Sequence, residues 1–468
     1  MKAQHGRRLD TAIVVAFAIA IMPAIANAQT DPGPRGGAPG AGARLAGLTV
    51  KEAKFFDTGL DEFQEIASVD GAAEDTEEGL GPRFNMTGCA TCHAHPAVGG
   101  TSPLFNPQVD PKVNPVPSHQ ITLVTQTVPI LVPVGPLSAT GPVREVRFSH
   151  VNGQPDGGVH QLFTIAGLPG TPAGCTISQP AFEAARDAGT LRFRIPTPVF
   201  GLGLIEAIED ATILLNENPS ALKTLFGISG NANRNGNDGT VTRFGWKAQN
   251  KSLVIFAGEA YNVEQGITNE LFPDERGEGG RPDSASCRQV VTAPQDFVHY
   301  DVTQPQQVID NVNAFANFMR FLEAPAQVTS YTGVTSAQIT AGEAAFDKAG
   351  CSVCHVKSMQ TGNHDSTALR NKTARLFSDL LLHDVGTGDQ IAQGGATGEQ
   401  FRSAPLWGAG QRIFFMHDGH TEDLVEAIND HRGEATKVID NFNGAGGDAA
   451  HKLDATERQN LIYFLRSL

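Results

Sequence analysis

From Leu48 to Val69 the apolar residues Phe55, Phe56, Leu60, Phe63 and Ile66 recur at helical spacing and predict the first helix. Between about Gln120 and Ala166 the period changes to short apolar runs: Ile121 to Thr125, Val128 to Val134, Val146 to Phe148 and Val159 to Ile165. With turn residues between them, these read as strands. Helical spacing returns over Leu204 to Leu215, after Phe244-Gly-Trp246, and over Gln306 to Leu322, where Pro305 suits the first turn and Pro325 stops the helix. Further helices are predicted over Thr335 to Phe346, Glu422 to His431 (with Thr421 as N-cap) and the closing Leu461 to Leu468. The pattern is mainly α, with a β-containing insertion over about 117–195.

Two ten-residue stretches interrupt this pattern. Phe84-Asn-Met-Thr-Gly88-Cys89-Ala-Thr-Cys92-His93 and Phe346-Asp-Lys-Ala-Gly350-Cys351-Ser-Val-Cys354-His355 both read F-x-x-x-G-C-x-x-C-H. Cys-x-x-Cys-His is the attachment signature of a c-type haem. Two thiols one helical turn apart bond the porphyrin vinyl groups, and the adjoining histidine turns under the iron as proximal ligand. A lone C-x-x-C would equally suit a redox dithiol or half a zinc site. Two C-x-x-C-H copies favour two covalently bound haems c, with Cys89, Cys92, Cys351 and Cys354 as attachment residues and His93 and His355 on the iron.

Two more landmarks repeat in the same order. P-[VL]-[FW]-G-x-G occurs at Pro198 and Pro405, and F-[ML]-R-x-L at Phe318 and Phe464. The expectation is an internal duplication of a cytochrome c-like unit, with an N-terminal haem domain over 48–325 and a C-terminal one over 326–468. His93 and Phe318 are 225 positions apart but His355 and Phe464 only 109, so the first unit carries the insertion.

The first residues stand apart from the fold. Lys2, Arg7 and Arg8 precede an apolar run from Thr11 to Ile21 and an Ala26-Asn27-Ala28 cleavage site, which is a signal peptide over 1–28. Cleavage leaves 440 residues, of which 29–47, rich in Gly, Pro and Ala, read as a flexible leader. No later stretch is long and apolar enough for a membrane helix, so the chain is expected in the periplasm.

The whole chain of 468 residues carries a formal charge of −15. Loss of Lys2, Arg7, Arg8 and Asp10 removes a net +2 and leaves −17. That argues against nucleic acid and allows a small basic electron carrier as partner. Cys175 and Cys287 remain after the haem cysteines: in an oxidising compartment a disulfide is the natural pairing, two buried thiols the alternative. Asp238, in the polar loop Asn231 to Gly239, offers oxygen to a calcium ion, against a plain surface loop.

Several phrases go further. Arg243-Phe-Gly-Trp-Lys-Ala-Gln249, Gly266-Ile-Thr-Asn-Glu-Leu-Phe-Pro273, Ser378-Asp-Leu-Leu-Leu-His-Asp384, Phe401-Arg-Ser-Ala-Pro-Leu-Trp-Gly408 and His417-Asp-Gly419 resemble the di-haem c-type oxidoreductases grouped as peroxidases and sometimes labelled thiol oxidoreductases. More distantly the chain is similar to bacterial di-haem cytochrome c peroxidases. The resemblance implies two c-type domains face to face and reduction of peroxide at one haem. Electrons would pass through the other from a small donor such as a cytochrome c or a cupredoxin. In those peroxidases a distal Met precedes the Pro-containing segment that corresponds to Ser403-Ala-Pro-Leu406. Phe401 occupies that place here and cannot ligate iron. His383 and His417 are the nearby candidates for the sixth position, with a hydrogen-bonding histidine in an aromatic pocket as the alternative for each; Met86, Met319 and Met416 read as packing residues, and Met359 follows the second haem helix too closely to reach over the ring. For the first haem Glu206 is the candidate acid/base, with Glu259 and Glu264 as rivals. Trp246 is the preferred relay between haems, with core packing as the alternative, and Trp407 reads as core. Alternatives are an electron carrier without catalysis, or oxidation of a partner protein or organic substrate.

Overall fold

The computed structural model describes residues 29–110, 113, 137–277, 284–288, 294–297 and 310–468. The first half contains helices α1 (Val50–Gln64), α2 (Cys89–Cys92), α3 (Phe182–Asp187), α4 (Leu202–Glu206), α5 (Asp210–Leu214), α6 (Ala221–Phe226), α7 (Leu253–Glu264) and α8 (Asn311–Phe321). The second contains α9 (Ser336–Ala349), α10 (Leu424–Asn429), α11 (Thr436–Phe442) and α12 (Ala455–Leu465). Among the described residues, strands occur only as two-stranded ribbons. Those that matter to function are β1 (Arg83–Phe84), β2 (Glu145–Phe148), β3 (Phe163–Thr164), β4 (Leu191–Arg194), β5 (Leu382–Asp384) and β6 (Gln400–Arg402). Antiparallel pairs form between β1 and β3, β2 and β4, and β5 and β6. The chain is helical with some sheet, and among the described residues no helix is long and apolar enough to cross a membrane.

Local chemistry explains where the main helices start. Thr49 and Thr335 open α1 and α9 with reciprocal capping boxes to Glu52 and Gln338, and Asp454 does the same for α12 with Glu457. Other boundaries differ from expectation. The helix expected over 204–215 breaks between Glu206 and Asp210. The one expected after Phe244 begins only at Leu253, because Gly245 and Ala248 take positive φ and Ser252 supplies the cap. The cap of α10 is Asp423, whose carboxylate accepts from the amides of Val425 and Glu426; Thr421 does not cap it. The expected strands 121–125 and 128–134, and the Pro305 start, lie outside the described residues.

Each half is built on a pair of crossed helices. α1 packs on α8, burying Phe56 and Phe63 against Phe315 and Phe318, and α9 packs on α12, burying Phe346 against Phe464. Each crossing is made close by a glycine. A Cβ at Gly59 would meet the Ala314 carbonyl and Phe318; one at Gly342 would meet the Asn460 carbonyl and Phe464. Four residues later, Phe63 and Phe346 reach towards His93 and His355, with ring centroids 6.0 and 6.3 Å away. The spatial counterpart of Phe346 is therefore Phe63, not Phe84, the residue that the motif alignment selects. Phe84 sits on β1 against Phe163 instead. The second glycines of the P-[VL]-[FW]-G-x-G segments also correspond, since Gly203 lies against the carbonyl of Arg320 and Gly410 against that of Arg466.

Gly342→Ala is expected to lose about 1–3 kcal/mol of stability through overpacking. An isolated helix would instead gain from the better helix former. Chemical denaturation beside Gly447→Ala, a site with nothing near its Cβ, decides the sign.

The halves share apolar packing: Leu376, Leu380, Leu381 and Trp407 belong to the same buried cluster as Phe63 and Phe318. The leader is not free. Asp31 accepts from buried Arg466 and from the Leu424 amide, and the carbonyls of Gly37 and Ala38 accept from Gln411. Residues 31–38 are thus strapped to the C-terminal half, because burial of the Arg466 guanidinium demands a carboxylate, while Ala43 and Leu45 pair with Glu323 and Phe321 of the first half. Cys175 and Cys287 are disulfide-bonded across a sequence separation of 112 residues.

Candidate active site: two cysteine- and histidine-lined cavities

Two large cavities open inside the fold, one at each C-x-x-C-H. Cys89, Cys92 and His93 line the first, and Cys351, Cys354 and His355 the second. The four thiols are not bonded to one another. His93 sets Nδ1 3.0 Å from the Gly100 carbonyl, and His355 sets Nδ1 2.9 Å from the Phe377 carbonyl. A ring donating from Nδ1 keeps the Nε2 lone pair for a metal. Burial pushes both rings down to about 4, so they are neutral at pH 7. Burial also pushes the Cys89 and Cys351 thiols up to about 12, as suits groups enclosed in apolar surroundings. Arg402 and Arg412 also line the second cavity, and Nη1 of the first and Nη2 of the second are buried without a partner. Apolar walls, paired thiols, an oriented imidazole and uncompensated cations fit a haem, which is flat, apolar and carries two carboxylates.

The rest of the lining differs sharply between the cavities. Glu145, Arg147 and Arg194 enter the first from the β2–β4 ribbon, whose register sets Glu145 opposite Arg194. Glu264, the last residue of α7, joins them with Gln249. Arg147 donates to Glu145. Burial pushes Glu145 up, but Arg147 and Arg194 outweigh that and hold its carboxyl below the usual range. Glu264 goes the other way. Burial, reinforced by the charge of Glu145, pushes it up to about 8, while Asn85 Nδ2 donates to its Oε2 at 3.0 Å. One carboxylate and one carboxylic acid therefore share a hydrogen bond at neutral pH. Gln249 Oε1 is buried without a partner. Gln265, next to Glu264, donates to Cys89 Sγ at 3.4 Å.

The second cavity is lined by Phe200, Phe401, Trp407, Phe415, Met416 and His417 among others. Phe401, on β6, stacks on His417 with ring centroids 4.2 Å apart. Burial pushes His417 down to about 4, leaving a neutral imidazole. His383 lines the same cavity, but its Nε2 is 2.9 Å from Asp379 and its Nδ1 3.1 Å from Glu434. Burial opposes the charge there, yet the two carboxylates raise the ring well above its ordinary value. Both ring nitrogens of His383 are thus engaged by carboxylates, and Nδ1 also lies 3.7 Å from Cys354 Sγ. The Phe401 ring also faces Lys247, whose Nζ lies 4.0 Å from its centroid and 3.1 Å from Asp389.

Trp246 alone among the described residues lines both cavities, and its Nε1 donates to the Ile195 carbonyl at 2.9 Å. Glu206 lines neither. Its carboxylate accepts from Arg320 (Nε to Oε2, 2.7 Å) and from the Leu253 amide, which joins α4 to α7 and α8. Glu259 is likewise held by Asn250 outside the cavities. Asp238 pairs with Lys251 and Thr240, so its oxygens are committed within the loop and not gathered for calcium. Sequence reasoning missed Glu145, Arg147 and Arg194. The available signal was charge inside two β-type runs, Glu145-Val-Arg-Phe148 and Leu191-Arg-Phe-Arg194.

A family model described as "Di-haem oxidoreductase, putative peroxidase" matches residues 182–468. No curated protein matches the chain. Similar solved structures include hydrazine synthase of Kuenenia stuttgartiensis, with 21% identity and a TM-score of 0.23 over 34% of this chain and 55% of that one. A MauG-like protein associated with microbial copper homeostasis shows 15% identity and a TM-score of 0.26, over 59% of this chain and 91% of that one. The diheme peroxidase BthA of Burkholderia thailandensis shows 16% and 0.23, over 34% and 50%. The chain thus spans about half the length of the hydrazine synthase and BthA chains. The family match covers over half of the sequence and takes in the second C-x-x-C-H, Trp246, Glu264, Arg194, Arg402 and Arg412, but neither the first C-x-x-C-H nor Glu145 and Arg147. The chain belongs to the di-haem oxidoreductase family and is an enzyme of that family.

Proposed function

We propose that the mature chain is a periplasmic di-haem c-type peroxidase, exported by a signal peptide cleaved after Ala28. Cys89 and Cys92, and Cys351 and Cys354, would hold the haems through thioethers, with His93 and His355 on the iron. Hydrogen peroxide would be reduced at the first cavity with electrons relayed from the second. The carrying observation is the contrast between cavities: Glu145 and Glu264, hydrogen-bonded to each other, line the first, and no carboxylate among the described residues lines the second.

Bound haem supplies the metal that receives peroxide and exchanges electrons. The side chains manage protons and position. Two electrons and two protons convert one peroxide to two waters. Ionised Glu145, fixed by Arg147, would accept a proton from one peroxide oxygen, and protonated Glu264 would deliver one to the other. Apolar walls exclude bulk water, which strengthens both interactions. The matched glycine crossings and phenylalanines support a duplicated unit with its boundary near Pro325, the first copy enlarged by the β2–β4 region that supplies the acid/base wall.

Peroxide-dependent oxidation of a reduced small cytochrome c or cupredoxin by the haem-loaded protein tests this reading. No turnover with both haems present would sink it, and two low-spin haems inert to small ligands would support a simple electron carrier. Trp246→Phe is expected to slow donor oxidation about tenfold or more at unchanged haem content. An unchanged rate would remove the indole from the electron route.

A further inference from the structure

Four buried arginines pair with carboxylates: Arg147 with Glu145, Arg194 with Asp389, Arg243 with Asp210 and Arg466 with Asp31. Arg402 and Arg412 in the second cavity make no such ion pair among the described residues. Arg402, only 8% exposed, spends Nε on the Gly245 carbonyl at 3.2 Å. Arg412 spends Nε on the Phe414 carbonyl at 2.9 Å. Nη1 of Arg402 and Nη2 of Arg412 remain enclosed without a partner. Burial with no opposing charge pushes both guanidinium groups down to about 10. Two uncompensated cations inside one cavity are among the costliest arrangements in a protein interior, so an anion is missing from the account.

Both arginines stand beside Trp246. The Arg402 amide donates to the Trp246 carbonyl at 2.9 Å, and the Arg412 guanidinium lies 5.8 Å over the indole. We infer that Arg402 and Arg412 bind the two propionate carboxylates of the haem in the second cavity. This rests on the proposal that this cavity holds haem c. The cysteines claim the vinyl groups, and the two carboxylates need two donors able to form charge-assisted, forked hydrogen bonds. The pairing would also neutralise the charge next to the indole that separates the cavities.

The test uses the full-length haem-loaded protein with Arg402→Gln, Arg412→Gln and their lysine counterparts, beside Arg234→Gln on an exposed loop. Haem counting comes first: a wild-type protein with fewer than two haems would fail the underlying proposal and not this one. In a redox titration, each glutamine variant is expected to favour the oxidised form of one haem about tenfold at fixed potential, and the other haem should stay put. Lysine should retain most of the wild-type behaviour. Should the glutamine variants not fold, redox-difference infrared spectra of the lysine variants are expected to show displaced propionate carboxylate bands. Unmoved titrations in both glutamine variants, or unmoved bands in the lysine variants, would overturn the inference. So would a wild-type potential that shifts with added phosphate, which would mark a free-anion site instead.

Discussion

Glu264→Gln is expected to lower peroxide turnover about 10²- to 10⁴-fold, the usual contribution of one positioned acid/base group. Glutamine keeps the size of the side chain and its hydrogen bond from Asn85 but has no acidic proton. The loss should fall on the peroxide step, leaving haem content and electron uptake from the donor intact. Burial and the Glu145 charge raise the Glu264 carboxyl to about 8, so the wild-type rate should decline as pH rises through about 8. The sign for stability is the same. A carboxyl raised in the folded state contributes fully below its ordinary value near 4.5, and that contribution fades as pH climbs from there to about 8. Glu145→Gln is a poorer probe, because it strands Arg147 in the cavity without its partner. If Glu264→Gln turned over peroxide at the wild-type rate with an unchanged pH profile, the acid/base assignment would fall.

Joint replacement of Cys351 and Cys354 by alanine is expected to abolish covalent haem at the second motif, leaving one of two. Denaturing mass spectrometry of protein from a strain competent in cytochrome maturation reads this directly. Donor-dependent turnover should then drop to background, because electrons lose their way in. Replacing Cys89 and Cys92 should instead remove the peroxide-binding centre and spare reduction of the second haem. Wild-type protein of bare polypeptide mass would defeat both expectations, and with them the c-type proposal.

The two C-x-x-C-H motifs, the mainly helical class and the Cys175–Cys287 pairing were legible in the chain, whereas the cap expected at Thr421 falls on Asp423. Each depends on neighbours a few residues apart, or on counting what one residue type leaves over. Trp246 was legible as a relay candidate through its family phrase; that it lines both cavities was not. Glu206 shows the limit plainly. Its helix and its nearness to a glycine turn matched an active-site acid, yet Arg320, 114 positions later, claims the carboxylate.

Sequence by itself therefore determined the chemistry this protein is equipped for, because thiol spacing and adjacent imidazole are local, covalent facts. Tertiary structure alone decided which carboxylates face a cavity, that Phe63 and not Phe84 matches Phe346, and that the leader is bound by Arg466. The reason is physical. The charge state and orientation of a buried side chain depend on whichever groups the fold brings alongside, and here those partners come from strands, helices and loops far away along the chain.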